Sequence, residues 1–374
     1  MTEPIAVKPG PGQPAAARIY ILDVARFLAA LLVVFYHYTA FGVPYTGVTE
    51  PHVAVFARYG YLGVDLFFMI SGFVVLMSSV GRTPAQFVQS RFVRIVPMFI
   101  SACLITYTYL SLTRETDLLV SFKDFLLNLS LVSLTPAMYL IDMRHIDGSY
   151  WTLIYETIFY VLIWSMLVLG WVKHVRPLLL AWLTLAAMNT LFDLGALNKF
   201  FTLVLASEYA PLFVAGGFFY MVWRDRQARW TDAIVLVACW ILAVINSVSS
   251  VGRLSLQNDL ILSPWVVGLS ISAIFIFFIA LSLHVIPQER FRAWAWAGAL
   301  TYPLYLLHQK VGYGLMRHIK VLLPPIPTLL TVLLIVLVGS WLAHLYLERP
   351  IAGLFRRWFR GNQPTGKTAL HSRK

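Results

Sequence analysis

The sequence predicts an all-α membrane protein: a polytopic helix bundle of about ten transmembrane helices, with both termini cytoplasmic. Three observations predict it. Hydrophobic residues make up 59% of the chain and charged residues 12%, about half the charged share of a soluble domain. Apolar runs of the length that crosses a ~30 Å hydrocarbon core recur along the chain. Lys and Arg gather in alternate connections, as the positive-inside rule requires of repeated crossings.

The runs lie near 19–41, 59–79, 93–112, 150–171, 177–194, 202–222, 231–248, 264–285, 295–316 and 327–347. The fifth and sixth are the weakest, being interrupted by Asn189, Asp193 and Glu208. Segment 122–141 is apolar but broken by polar residues, and reads as an amphipathic or re-entrant piece of the longest loop. With the N-terminus inside, the inner side receives Arg82, Arg91, Arg94, Lys173, Arg176, Arg224, Arg226 and Arg229. An even number of spans keeps that asymmetry.

Three segments follow from this count. Residues 1–17, rich in Pro, Gly and Ala, form a flexible cytoplasmic tail with no signal-peptide core. Residues 18–352 form one membrane domain, and 353–374 a basic cytoplasmic tail with no further domain. The net charge of +12 belongs to the inner loops. Nucleic acid is not an expected partner, because the basic residues are not interleaved with aromatic ones. Cys103 and Cys239 both fall in apolar runs, so neither a disulfide framework nor a metal site is expected. No internal repeat is visible, which weakens a transporter built on inverted halves.

The membrane runs carry charges that insertion disfavours by at least ~2.5 kcal/mol each. In the first run, "RIYILDVARFLAALLVVFYHY", Asp23 and Arg26 are three residues apart and share a helix face. His37 follows Arg26 by eleven residues, about three turns, on nearly the same face. A structural reading, an internal ion pair and an interfacial histidine, stays open. In "GYLGVDLFFMISGF" and "GSYWTLIYETIFY", Asp65 and Glu156 lie at depths similar to His37. A carboxylate that orients an imidazole, which then takes a hydroxyl proton, suits general base catalysis. A proton path in a transporter needs the same residue types. "QSRFVRIVP" puts Arg91 and Arg94 at the inner mouth of the third run, as a positive-inside anchor or a phosphate clamp. "LTYPLYLLHQKV" brings Tyr302, Tyr305 and His308 into the membrane, with Pro303 expected to loosen the helix.

These residues resemble the integral-membrane acyltransferase-3 family. Arg26, ten residues and His37 match that family's Arg–His element, and "GVDLFFMISGFV", "RFVRIVP", "SYWTLIYETIFY", "LTYPLYLLHQ" and "LERP" resemble its further blocks, together covering residues 18 to about 355. The resemblance implies a multi-pass enzyme of the bacterial inner membrane. It would move an acyl group, expected to be acetyl, from cytoplasmic acyl-CoA as co-substrate to a hydroxyl of a cell-surface carbohydrate or similar acceptor. The length implies a member without the SGNH-type esterase domain of some relatives. His37 is then the expected catalytic base or transient acyl carrier. Glu156 would orient it or bind acceptor, and Asp65 is the third catalytic candidate. Arg26, Arg91 and Arg94 are expected to bind acyl-CoA, and Tyr305, His308 and Trp151 the acceptor. No metal and no resident cofactor is expected. The rival is a proton-coupled transporter of a small metabolite or glycolipid.

Overall fold

Within a bilayer, backbone N–H and C=O groups find partners only inside a helix or a closed barrel. The described residues form helices and no strand. The structure, a computed structural model, describes residues 18–258 and 260–361. The expected N-terminal tail at 1–17 and the end of the basic tail, 362–374, lie outside the described residues.

The principal helices are α1 (Tyr20–Tyr36), α2 (Gly63–Ser79), α3 (Pro84–Leu112), α4 (Trp151–Val168), α5 (Val175–Leu191) and α6 (Ala210–Asp225). They continue as α7 (Trp230–Asn258), α8 (Pro264–Ser282), α9 (Ala295–Leu307), α10 (Gln309–Ile319), α11 (Pro325–Ala343) and α12 (Arg349–Gly361). The start of α3 shows how local sequence sets a boundary. Thr83 Oγ1 accepts from the Gln86 N–H, Gln86 Oε1 accepts from the Thr83 N–H, and Pro84 follows at the first helical position. That reciprocal cap satisfies two N–H groups the helix leaves unpaired.

Seven helices among the described residues are long and apolar enough to cross a membrane. Three of the ten expected runs fall on shorter helices. The fifth ends as α5 at Leu191, where Asp193 Oδ1 turns the chain by accepting from the Gly195 N–H and Asn198 Nδ2. The sixth is split by Ala206, whose φ of 52° breaks the helix ahead of α6. The ninth divides at His308 into α9 and α10. The expected loop piece contains a short helix, Phe122–Leu129, followed by single turns.

The shortness of α6 fits its place. Its residues from Ala210 to Val222 are buried on every side. It crosses α2 where a Cβ on Gly72 would run into Phe213 O and one on Gly216 into Met69 O. Only two glycines allow the backbones so close, the small-residue contact of membrane helices. The boundary expected at 353 falls inside a helix. α12 runs on to Gly361 and docks on α3, with Phe92 against Phe355 and Phe359 at ring-centroid distances of 5.2 and 5.9 Å.

Candidate active site

Two cavities lie along α1, one near each of its polar residues. Arg26 and His37 are separated by roughly 16 Å of helix axis. The cavity at Arg26 has a volume of about 80 Å³ and is lined by Arg94, Ser71, Glu156 and Tyr302 among others. The cavity at His37 measures about 250 Å³ and is lined by Asp65, Trp151, Glu208, Tyr209 and Arg253 among others. Tyr305 and Val64 line both. The Tyr305 side chain is thus part of whatever separates them.

His37 is where α1 loses its regular winding. Residues His37–Phe41 form a π-turn, an insertion often met at functional sites. His37 Nδ1 lies 3.0 Å from Val33 O and 3.0 Å from His308 Nε2. His308 Nδ1 lies 2.7 Å from Tyr305 O. A carbonyl oxygen only accepts, so both Nδ1 atoms carry hydrogen. His308 Nε2 is then a lone pair that faces the His37 Nδ1–H. His37 Nε2 is left unprotonated in the neutral ring. It has no partner among the described residues, and it is not one of the enclosed orphan atoms. It opens on the cavity that His37 lines.

His308 is completely buried, and its position is built from two other segments. Side-chain hydroxyls bond the carbonyls around the helix break. Tyr38 donates to His308 O at 2.8 Å, Tyr150 to Leu306 O at 3.1 Å and Ser149 to Tyr305 O at 3.3 Å. Asp147, also fully buried, ties this together. Its Oδ1 accepts from the Ser149 N–H and Oγ, and its Oδ2 from the Lys310 N–H in the first turn of α10. Reading the sequence missed Asp147. The Asp-Gly-Ser turn ahead of α4 was the available signal.

The remaining candidates divide between the cavities. Asp65, Trp151 and Tyr305 join His37 at the larger one. Glu156 does not orient His37: it lines the Arg26 cavity and accepts from Ser71 Oγ at 3.2 Å and from Tyr160 OH. His308 holds the place at Nδ1 that the sequence reading offered to a carboxylate. His308 thus meets His37 directly, and it does not line the larger cavity where acceptor contact was expected. Arg26 and Arg94 share the small cavity, but Arg91 does not. Arg91 donates to Ser78 Oγ at 2.5 Å and lies over the rings of Phe87 and Tyr160, each centroid 5.5 Å away. It supports Tyr160, and through it Glu156, from behind. Asp23 is nearer to Arg18 Nε, at 2.8 Å, than to Arg26, at 4.0 Å.

Sequence reading also missed one wall of the larger cavity. Glu208 appeared only as a flaw in a span and Arg253 was not singled out, yet they pair at 3.3 Å. Asn246 on α7 donates to the Glu208 carbonyl at 2.8 Å and holds that turn in place. Trp151 packs against Tyr209 with ring centroids 5.6 Å apart.

The family model described as an acyltransferase domain matches residues 19–345 of the chain. Comparison with curated proteins and with solved structures gives no match.

Proposed function

We infer the reaction from one premise, that this chain belongs to the acyltransferase family: it moves an acyl group, acetyl in our reading, from acyl-CoA to a hydroxyl of a carbohydrate or similar acceptor. The observation that carries the reading is the free His37 Nε2, unprotonated and open to a cavity, with its Nδ1–H directed to Val33 O and His308. An imidazole so held is a general base ready to receive a proton.

The steps balance on this chain's own groups. The acceptor hydroxyl gives its proton to His37 Nε2 as its oxygen attacks the thioester carbonyl. The tetrahedral intermediate collapses with loss of the C–S bond. The thiolate leaves and takes the proton back from the imidazolium, so the products are an ester and free CoA. The donor's phosphates sit toward Arg26 and Arg94, whose planar guanidinium forks match phosphate oxygens. The thioester arm passes Tyr305 to reach His37. Glu156 keeps the donor end in shape through Ser71 and Tyr160. The setting proposed is a bacterial inner membrane, with the donor reaching the cytoplasmic side.

The test uses purified protein in lipid vesicles with labelled acetyl-CoA and a glycan acceptor. Label should appear in the glycan as ester while free CoA is released in equal amount. Movement of label across the vesicle with no ester formed would overturn the reading in favour of transport.

A further inference from the structure

The larger cavity contains a carboxylate that no described residue neutralises. Asp65 is 6% exposed and lines the cavity. It lies in the first turn of α2, and among the described residues no cation pairs with it. A buried carboxylate is costly unless something compensates it. Glu208 lines the same space, and its charge is matched by Arg253. The formal balance of the wall is two carboxylates against one guanidinium, since His37 is neutral in the tautomer derived above. One side is aromatic, formed by Trp151 and Tyr209. The cavity measures about 250 Å³, room for one substituted six-membered ring.

We propose that this cavity is a charge-selective acceptor subsite: it admits a single hydroxyl-bearing ring that is neutral or carries an ammonium group, and Asp65 turns away a ring bearing a carboxylate or phosphate. The proposal rests on the acyl-transfer reading and goes further, naming the class of acceptor and the residue that chooses it. The aromatic wall takes the apolar face of the ring, as aromatic side chains in mostly apolar pockets do. Asp65 accepts from ring hydroxyls or pairs with an ammonium. Either replaces the solvation it lost on burial. An anionic ring would bring into a water-poor space a charge that no group there neutralises, which disfavours it whether or not Asp65 is itself ionised. The hydroxyl to be acylated faces His37 Nε2.

The experiment uses the full chain with labelled acetyl-CoA and three single-ring probes: methyl glucoside, methyl glucosaminide and methyl glucuronide. Binding of each probe without donor is read by quenching of tryptophan fluorescence, and transfer by ester formation and CoA release. The wild type is expected to prefer glucoside and glucosaminide over glucuronide by about 10²-fold or more, in both binding and kcat/KM. Asp65→Asn should shift the glucuronide-to-glucoside ratio upward at least about tenfold and erase any preference for glucosaminide. Arg253→Gln, on a half-exposed side chain, should shift selection the other way, toward glucosaminide. This second variant decides the matter if Asp65→Asn does not fold. Equal use of glucuronide by the wild type, or unchanged ratios in both variants, would overturn the subsite while acyl transfer stands. The charge order in binding without any CoA release would support the subsite and overturn the reaction.

Discussion

The two cavities along α1 carry opposite charge. At Arg26, two guanidinium groups face one carboxylate, Glu156, which is itself held by Ser71 and Tyr160. At His37, two carboxylates face one guanidinium, and among the described residues neither Asp65 nor His37 Nε2 pairs with another side chain. The first space is small and the second about three times larger. The difference teaches how one bundle can separate two substrates by electrostatics alone. A polyanionic donor is favoured at the positive end and disfavoured at the negative one.

Substitutions that break this polarity should be unequal. The largest loss is expected for His37→Ala. Removing the base should lower kcat by about 10²- to 10⁴-fold while the protein still inserts and binds acyl-CoA. Full activity would end the assignment of the base. Next is His308→Ala, which frees the imidazole of His37 to turn. A misoriented base costs about 10²-fold, so kcat should fall by about that much with KM for both substrates little changed. A loss expressed only as lower thermal stability would make His308 merely structural. Arg94→Ala should follow. Losing a hydrogen bond to a charged group, worth about 1.5–3 kcal/mol, should raise KM for acyl-CoA by about 10- to 10²-fold and spare the acceptor. Arg91→Ala sharpens the comparison, since Arg91 does not line the cavity; its effect on the donor KM should be clearly smaller. Equal effects from the two arginines would argue against the placement of the donor.

The smallest effect lies outside both cavities. Arg317 bridges three segments: it donates to Tyr45 O at 2.6 Å, to Glu115 at 2.5 Å and to Asp117 at 2.7 Å. Its hydrogen bonds hold the Asp117 carboxyl below its ordinary range. A carboxylate with a depressed folded pKa stabilises fully above its unfolded value, about 3.9, and that contribution fades as pH falls through the folded value. Asp117 is more than half exposed, so water screens the pair. Asp117→Asn should lower the melting temperature slightly at neutral pH. The gap between variant and wild type should close below about pH 4. A gap that persisted at low pH would show that the bridge acts through shape and not charge.

Much of the site was legible as charge or imidazole inside apolar runs. Arg26, His37, Asp65, Trp151 and Tyr305 all line one cavity or the other, because an ionisable or polar group in a membrane helix has few places to go but inward. The same logic misplaced Glu156. Counting along the helix set it level with His37, but it lines the cavity at Arg26, and no local count fixes which cavity a side chain enters. Glu208 and Arg253 were hidden for a different reason: one looked like a defect in a span, and nothing local marked the other as its partner 45 residues on. The pairing of His37 with His308 spans 271 residues of sequence. No local pattern encodes a contact of that separation.

Composition and periodicity by themselves determined the solvent, the helical class and which side chains would be out of place in lipid, because the bilayer imposes one rule on every residue that enters it. The tertiary structure alone decided which of those side chains meet. The close crossing at Gly72 and Gly216, the break at His308 and the clamp at Asp147 set the partners of each polar group. Those partners, more than residue type, choose the nitrogen of His37 that is left free to take a proton.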